Sequence, residues 1–153
     1  LWTWIAMGKN RFTRWMNMDC IFCKIIAKEI PAKILYEGDY SIAFLDAFPV
    51  ARGHTLVIPK EHHEKIQDLP TEINQKLFET VQKMIKKIDS LQGSTLVAIH
   101  NGKESGQEVP HVHVHLIPRS RNDSAGPVHS MFKEKIELTD SEIKSIYNSL
   151  KIF

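Results

Sequence analysis

His111-Val112-His113-Val114-His115-Leu116-Ile117 is the stretch that decides the fold. Its period of two predicts a strand over 111–117, with three imidazoles on one face and Val112, Val114 and Leu116 turned into a core. Alternate residues of a strand lie about 6.6 Å apart, so the outer rings stand about 13 Å from one another. One metal ion can hold two such rings but not all three without bending the strand. The row must divide its duties.

Working outward, 95–100 reads as a second strand, joined to the histidine strand by a polar, glycine-bearing loop over 101–108. Upstream, 33–36, 41–46 and 54–59 are short runs rich in branched and aromatic residues, separated by turn residues, and they suggest an antiparallel meander. Ile73, Leu77, Val81, Met84, Ile85 and Ile88 recur at spacings of three and four, which predicts a helix over 71–91 ended by Gly93. A short amphipathic helix is expected over 19–28, stopped before Pro31. Thr139-Asp140-Ser141-Glu142 fits a capping box that opens a last helix. The expected class is α+β, a central antiparallel sheet of about five strands with the helices set to one side.

The chain has 153 residues, 42% of them hydrophobic and 25% charged, the balance of a globular protein in which 18–153 form one domain. Residues 1–17 carry three Trp and no acid, and read as an extension, an artificial remnant or an upstream translated stretch. No apolar run approaches the roughly 20 residues of a bilayer span, so no membrane partner is expected. A formal charge of +2 is too mild to argue for nucleic acid. Cys20 and Cys23, on one side of the first helix, read as metal ligands or a redox pair, and a cytoplasmic location would keep them reduced.

His-Val-His-Val-His-Leu-Ile, preceded by Gly106-Gln107 and followed by Pro118-Arg119, resembles the signature of the histidine triad (HIT) family of nucleotide hydrolases and transferases. Cys20-Ile21-Phe22-Cys23, Ala43-Phe44-Leu45-Asp46 and Gly53-His54-Thr55-Leu56-Val57-Ile58-Pro59-Lys60 are similar to segments of its zinc-bearing, prokaryote-like branch. The resemblance implies a homodimer that acts at the α-phosphate of a purine nucleotide, a phosphoramidate or a dinucleoside polyphosphate, through a nucleotidyl-histidine intermediate. A neutral imidazole attacks phosphorus when its other nitrogen donates to a carbonyl and leaves one lone pair free, a task that suits His113 at the centre of the row. His115 and His54 would donate to the phosphate oxygens.

Two cysteines at this spacing need two more ligands to complete a tetrahedral zinc site. The resemblance implies His62 and His111, with His63 as a competitor for His62. Four protein ligands make such a metal structural. Asp46 is the expected acceptor for the ribose hydroxyls, and Phe22, Ile25, Phe44 and Ala47 could wall the base, although core packing would account equally well for each of these four. Gln107 belongs to the phosphate loop. Glu108 stands where the family usually has Ser or Thr, which places a carboxylate beside a phosphate. His100 or Asn101 occupies the place of a family amide side chain. Two further readings stay open: a nucleotide-binding regulator with weak activity, and a metal-dependent phosphoester hydrolase.

Overall fold

The computed structural model describes residues 17–152, so the expected extension over 1–17 lies, Asn17 apart, outside the described residues. Contacts divide the chain into two units, Leu1–Ser120 and Arg121–Phe153. The first holds a five-stranded antiparallel sheet. Its strands are β1 (Ile34–Glu37), β2 (Ser41–Leu45), β3 (Thr55–Pro59), β4 (Ser94–Ala98) and β5 (Val114–Arg119), in the order β1-β2-β3-β5-β4.

Helix α1 (Ile21–Ile26) is shorter than the 19–28 expected. Lys28 adopts the left-handed conformation (φ 63°), and the Glu29 amide turns back to the Lys24 carbonyl, which closes the helix early. Helix α2 (Thr71–Gln92) follows its apolar stripe closely: Ile73, Leu77, Val81, Met84 and Ile88 are all buried. They pack with Ala43, Val57, Val112, Val114 and Leu116 on one face of the sheet. Thr80, a buried polar residue of this helix, is satisfied by Ser41 of β2, Oγ to Oγ1, at 2.8 Å.

The expectation that all helices lie to one side of the sheet does not hold. Ile42, Phe44, Leu56 and Ile58, the alternate residues of β2 and β3, form a second cluster with Cys20, Phe22, Cys23 and Ile25 of the α1 segment. Residues one apart on a strand face opposite ways, so this cluster lies on the face away from α2. The meander is apolar on both faces and must be covered twice.

The histidine strand also begins later than its alternation suggests. The ladder to β3 runs from Thr55↔Leu116 to Val57↔Val114 and stops there. Beyond it, the Val112 amide donates to the His63 carbonyl at 2.7 Å, so 111–113 is tied to the segment after β3 rather than to β3 itself. Pro59 has no amide to offer a partner strand. Alternation nevertheless persists, with Val112, Val114 and Leu116 buried against α2.

The second unit contains helix α3 (Asp140–Leu150). Its N-terminus carries the predicted capping box: the Glu142 amide donates to Thr139 Oγ1, and the Thr139 amide donates to the Glu142 carboxylate at 2.8 Å.

Candidate active site and metal centre

Cys20 and Cys23 flank the first turn of α1, His62 follows β3, and His111 precedes β5. These four bring their ligand atoms within 4.8 Å of one another. Cys20 Sγ lies 3.5 Å from His111 Nδ1, and Cys23 Sγ lies 3.4 Å from His62 Nδ1 and 3.7 Å from His111 Nδ1. The two Nδ1 atoms are 3.2 Å apart. A tetrahedral zinc with ordinary Zn–S and Zn–N lengths requires S···N edges of about 3.6 Å and an N···N edge of about 3.3 Å. The donor set therefore fits a four-coordinate metal in both chemistry and spacing.

The second nitrogen of His111 supports the same reading. His111 Nε2–H donates to the Pro59 carbonyl at 2.8 Å, which leaves the Nδ1 lone pair facing the cysteines. Burial holds His111 down to about 4 and lowers His62, so both rings are neutral ligands near pH 7. Burial pushes the Cys23 thiol up to about 11, so a metal that binds there displaces protons. His63 is engaged elsewhere, its Nε2 lying 2.9 Å from Glu61 Oε1.

The remaining two histidines of the row stay clear of this cluster. His113 Nδ1–H donates to the His111 carbonyl at 2.7 Å, which fixes the tautomer and leaves a lone pair on Nε2. Burial lowers the His113 pKa, so the ring is neutral near pH 7. His115 lies 5.0 Å from His113, centroid to centroid. Its protonation state follows from a chain of bonds that begins in the backbone. The Val50 amide donates to His54 Nδ1 (3.2 Å), so the proton of His54 sits on Nε2 and is given to His115 Nδ1 (2.9 Å). The remaining proton of His115 is then on Nε2, a buried atom with no protein partner. A buried donor without a partner is costly and awaits an acceptor.

Asp46, His54 and His115 also cluster closely enough to hold a cation. The Val50 bond argues against that use, because a metal on His54 Nε2 would force a proton onto Nδ1, against the Val50 N–H. Asp46 Oδ2 stands 3.5 Å from His54 Nε2, while its Oδ1 accepts from the Phe48 amide at 2.9 Å.

Other expected contacts are placed differently. The Gln107 amide is fully engaged by the protein itself: Oε1 accepts from the Gly102 amide (2.7 Å), and Nε2 donates to the Glu64 and Val109 carbonyls. Asn101 likewise faces the protein, accepting from the Ile66 amide (2.8 Å) and donating to Gln67 Oε1 (2.9 Å). Phe44 and Ile25 are core residues, whereas Ala47 and Glu108 are exposed. The charge of Glu108 favours the protonated form of His113, against the larger effect of burial.

Of His100 and Asn101, it is His100 whose ring packs edge-on against His115, at 5.2 Å. Ala98 lies opposite His115 in the ladder, so His100, two residues on, falls to the same side. That register was the signal, and it exists only once β4 and β5 are paired.

The match of a family model decides the assignment: residues 27–122 match that of the HIT domain. The chain belongs to the histidine triad family. An adenosine 5′-monophosphoramidase of Saccharomyces cerevisiae is 46% identical over 113 residues, covering 72% of this HIT protein and 68% of the relative. An adenylylsulfatase of Arabidopsis thaliana is 32% identical, over 89% of this chain and 70% of the relative. Among solved structures, a HIT-family protein of Bacillus subtilis superposes with a TM-score of 0.76 at 35% identity, covering 86% of this chain and 94% of its own. A zinc-bound histidine triad protein of Mycobacterium smegmatis gives 0.67 at 34% identity, over 70% and 79% of the two chains. No helix among the described residues of this HIT protein is long and apolar enough to cross a membrane.

The histidine relay also sets an acid limit. Burial, and then the neighbouring His113, His54 and His100, pull His115 down to about 4, against the opposing charge of Asp46. The unfolded chain therefore takes up a proton near pH 6.5 that the folded chain refuses until about pH 4. Stability from this group is complete above pH 6.5 and is lost as pH falls through that window. Urea midpoints measured between pH 7.5 and 4.5 are expected to fall more steeply for the wild type than for His115→Asn; parallel slopes would remove His115 as the cause.

Proposed function

We propose that this HIT protein is a nucleotide hydrolase or nucleotidyl transferase that works at an α-phosphate through His113. The observation that carries the proposal is the bond from His113 Nδ1–H to the His111 carbonyl, which leaves Nε2 as a neutral, lone-pair-bearing nucleophile. Nε2 would form a bond to phosphorus as the bond to the leaving group breaks. The unpartnered Nε2–H of His115 suits a phosphate oxygen or the departing atom, and His54 holds that ring in the required tautomer. Water then attacks the nucleotidyl-histidine, releasing the mononucleotide and restoring the His113 lone pair.

Purine nucleoside phosphoramidates and dinucleoside polyphosphates are the substrates in this reading, and the name of the yeast relative, an adenosine 5′-monophosphoramidase, supports the first of the two. Asp46 remains the proposed ribose acceptor, with Ala47 at the exposed rim; Gln107 and Asn101 act by shaping the loop. Exposed Glu108 suits an amine leaving group that departs as a cation. Zinc on Cys20, Cys23, His62 and His111 would serve as a structural tie, since all four positions are protein atoms. A homodimer belongs to the same reading: β4 ends the sheet with Val97 exposed, and a second copy would extend the sheet there.

The test is a trap. Labelled adenosine phosphoramidate mixed with the enzyme and denatured within one turnover should leave label on a peptide containing His113. Turnover without trapped label, under conditions where phosphohistidine survives, would return the protein to direct attack by water.

A further inference from the structure

Cys20 and Cys23, the only cysteines of the chain, read from the sequence as metal ligands or as a redox pair, and their setting suits both. Cys20 opens α1 and Cys23 stands in its first turn, which is closed by the Lys24 amide on the Cys20 carbonyl at 3.0 Å. Residues three apart on a helical turn have Cα atoms about 5 Å from one another, within the span of about 4.4–6.8 Å that a disulfide bridges. The two sulfurs themselves lie within 4.8 Å. They can therefore join by side-chain rotation, with the backbone in place. Both residues are buried, at 5% and 3% exposed. A small hollow nevertheless reaches one of them: about 10 Å³, the room of a single small molecule, lies between Asn17, Met18, Lys24, Ala27 and Glu29 with Cys23 in its wall.

We propose that Cys20 and Cys23 form a redox switch, in which a small peroxide entering by way of Cys23 converts the two metal-binding sulfurs into a disulfide and so releases the metal. Sulfur held by a metal is thiolate, the form that attacks peroxide. Cys23 Sγ bonds to one peroxide oxygen as the O–O bond breaks, and hydroxide departs. Cys20 Sγ then bonds to Cys23 Sγ as the new S–O bond breaks, and a second hydroxide departs. Two electrons pass from the sulfurs to the peroxide, and solvent protons turn both hydroxides to water. Only His62 and His111 then remain of the four ligands, too few for a tetrahedral site. The exchange replaces a tie between segments 91 residues apart, at Cys20 and His111, by one within a single turn. A bridge over so short a loop constrains the unfolded chain little, so it does not make good what the metal contributed. His111 also carries the carbonyl that fixes the His113 tautomer, which couples the switch to turnover. The inference rests on the metal centre and, for its effect on turnover, on the His113 reading given above.

The test takes the zinc-loaded protein through hydrogen peroxide at about one to ten equivalents, followed by a chromogenic zinc indicator, intact mass and peptide mapping. One zinc should be released for each disulfide formed, with the loss of two hydrogens located to the peptide that holds Cys20 and Cys23. Tm should fall by about 10 °C and turnover of adenosine phosphoramidate by at least about tenfold, and dithiothreitol with zinc should restore both. Ala27→Leu narrows the hollow from its exposed rim, and is expected to slow zinc release about fivefold while metal content and turnover before peroxide stay at the wild-type level. Equal rates of release in the two proteins would overturn entry at Cys23. Retention of zinc under peroxide, oxidation that stops at sulfinic acid, or a disulfide between two chains would overturn the switch, as would a protein that holds no zinc at the outset. Turnover that survives full loss of zinc would overturn the coupling to His113. If the disulfide and zinc release proceed as expected but the wild type turns over no nucleotide, the His113 reading fails and the switch stands as a device of the metal centre.

Discussion

His113→Ala is expected to lose at least about 10³-fold in turnover while still binding nucleotide and melting within a few degrees of the wild type. The asymmetry follows from what the substitution removes. The Nε2 lone pair is lost, and with it the bond-forming atom. The Nε2–H of His115, the tautomer chain from Val50 through His54 and the Asp46 carboxylate are left in place, so the groups proposed to meet phosphate and ribose persist. The metal cluster is also spared, because His113 contributes no ligand to it. Single-turnover kinetics together with calorimetric titration of a non-hydrolysable nucleotide would check both halves. Residual turnover within tenfold of the wild type, in protein free of contaminating hydrolase, would remove His113 from the centre of the mechanism.

Loss of the metal centre should have the other large effect. Cys23→Ser, or prolonged exposure to a strong chelator, is expected to strip the zinc and lower Tm by about 10 °C or more. The cluster joins segments far apart in sequence, from residue 20 to residue 111, and the free energy of closing it is folding free energy. Activity should fall with it, because the carbonyl that holds the His113 tautomer belongs to His111, one of the four residues of the cluster. Binding should weaken as pH falls: Cys23, pushed up by burial, must surrender its proton to the solvent, and acid opposes that release. Metal analysis alongside melting curves at two pH values would test this. A preparation without metal that melts where the loaded protein melts would deny the cluster its structural role.

Much of the site was legible because its residues are ordered by local periodicity. The alternation of 111–117 put three histidines on one side and three aliphatic residues on the other, and that division survives although the strand itself starts at Val114. The stripe on α2 and the Thr139 capping box were equally local. Spacing marks Cys20 and Cys23, resemblance marks His62 and His111, and folding brings those four together in preference to His63. What was not legible concerns amides and rings whose partners are distant in sequence. Nothing in the neighbourhood of Asn101 or Gln107 says that their amides are taken by Ile66, Gln67, Gly102 and Glu64. Nothing near Phe22 says that its ring meets that of His113.

The amino-acid sequence alone thus determined the sheet, its major helix and the side on which each member of the histidine row falls, because apolar periodicity acts over a few neighbouring positions, whereas His62 and His111 came as donors only through the resemblance. Tertiary structure alone decided which nitrogen of His54, His111, His113 and His115 holds the proton, that α1 covers the face opposite α2, and that the His100 ring meets His115. Those outcomes depend on which carbonyl, amide or ring arrives from elsewhere in the chain, and a directional bond at about 3 Å has no counterpart in local pattern.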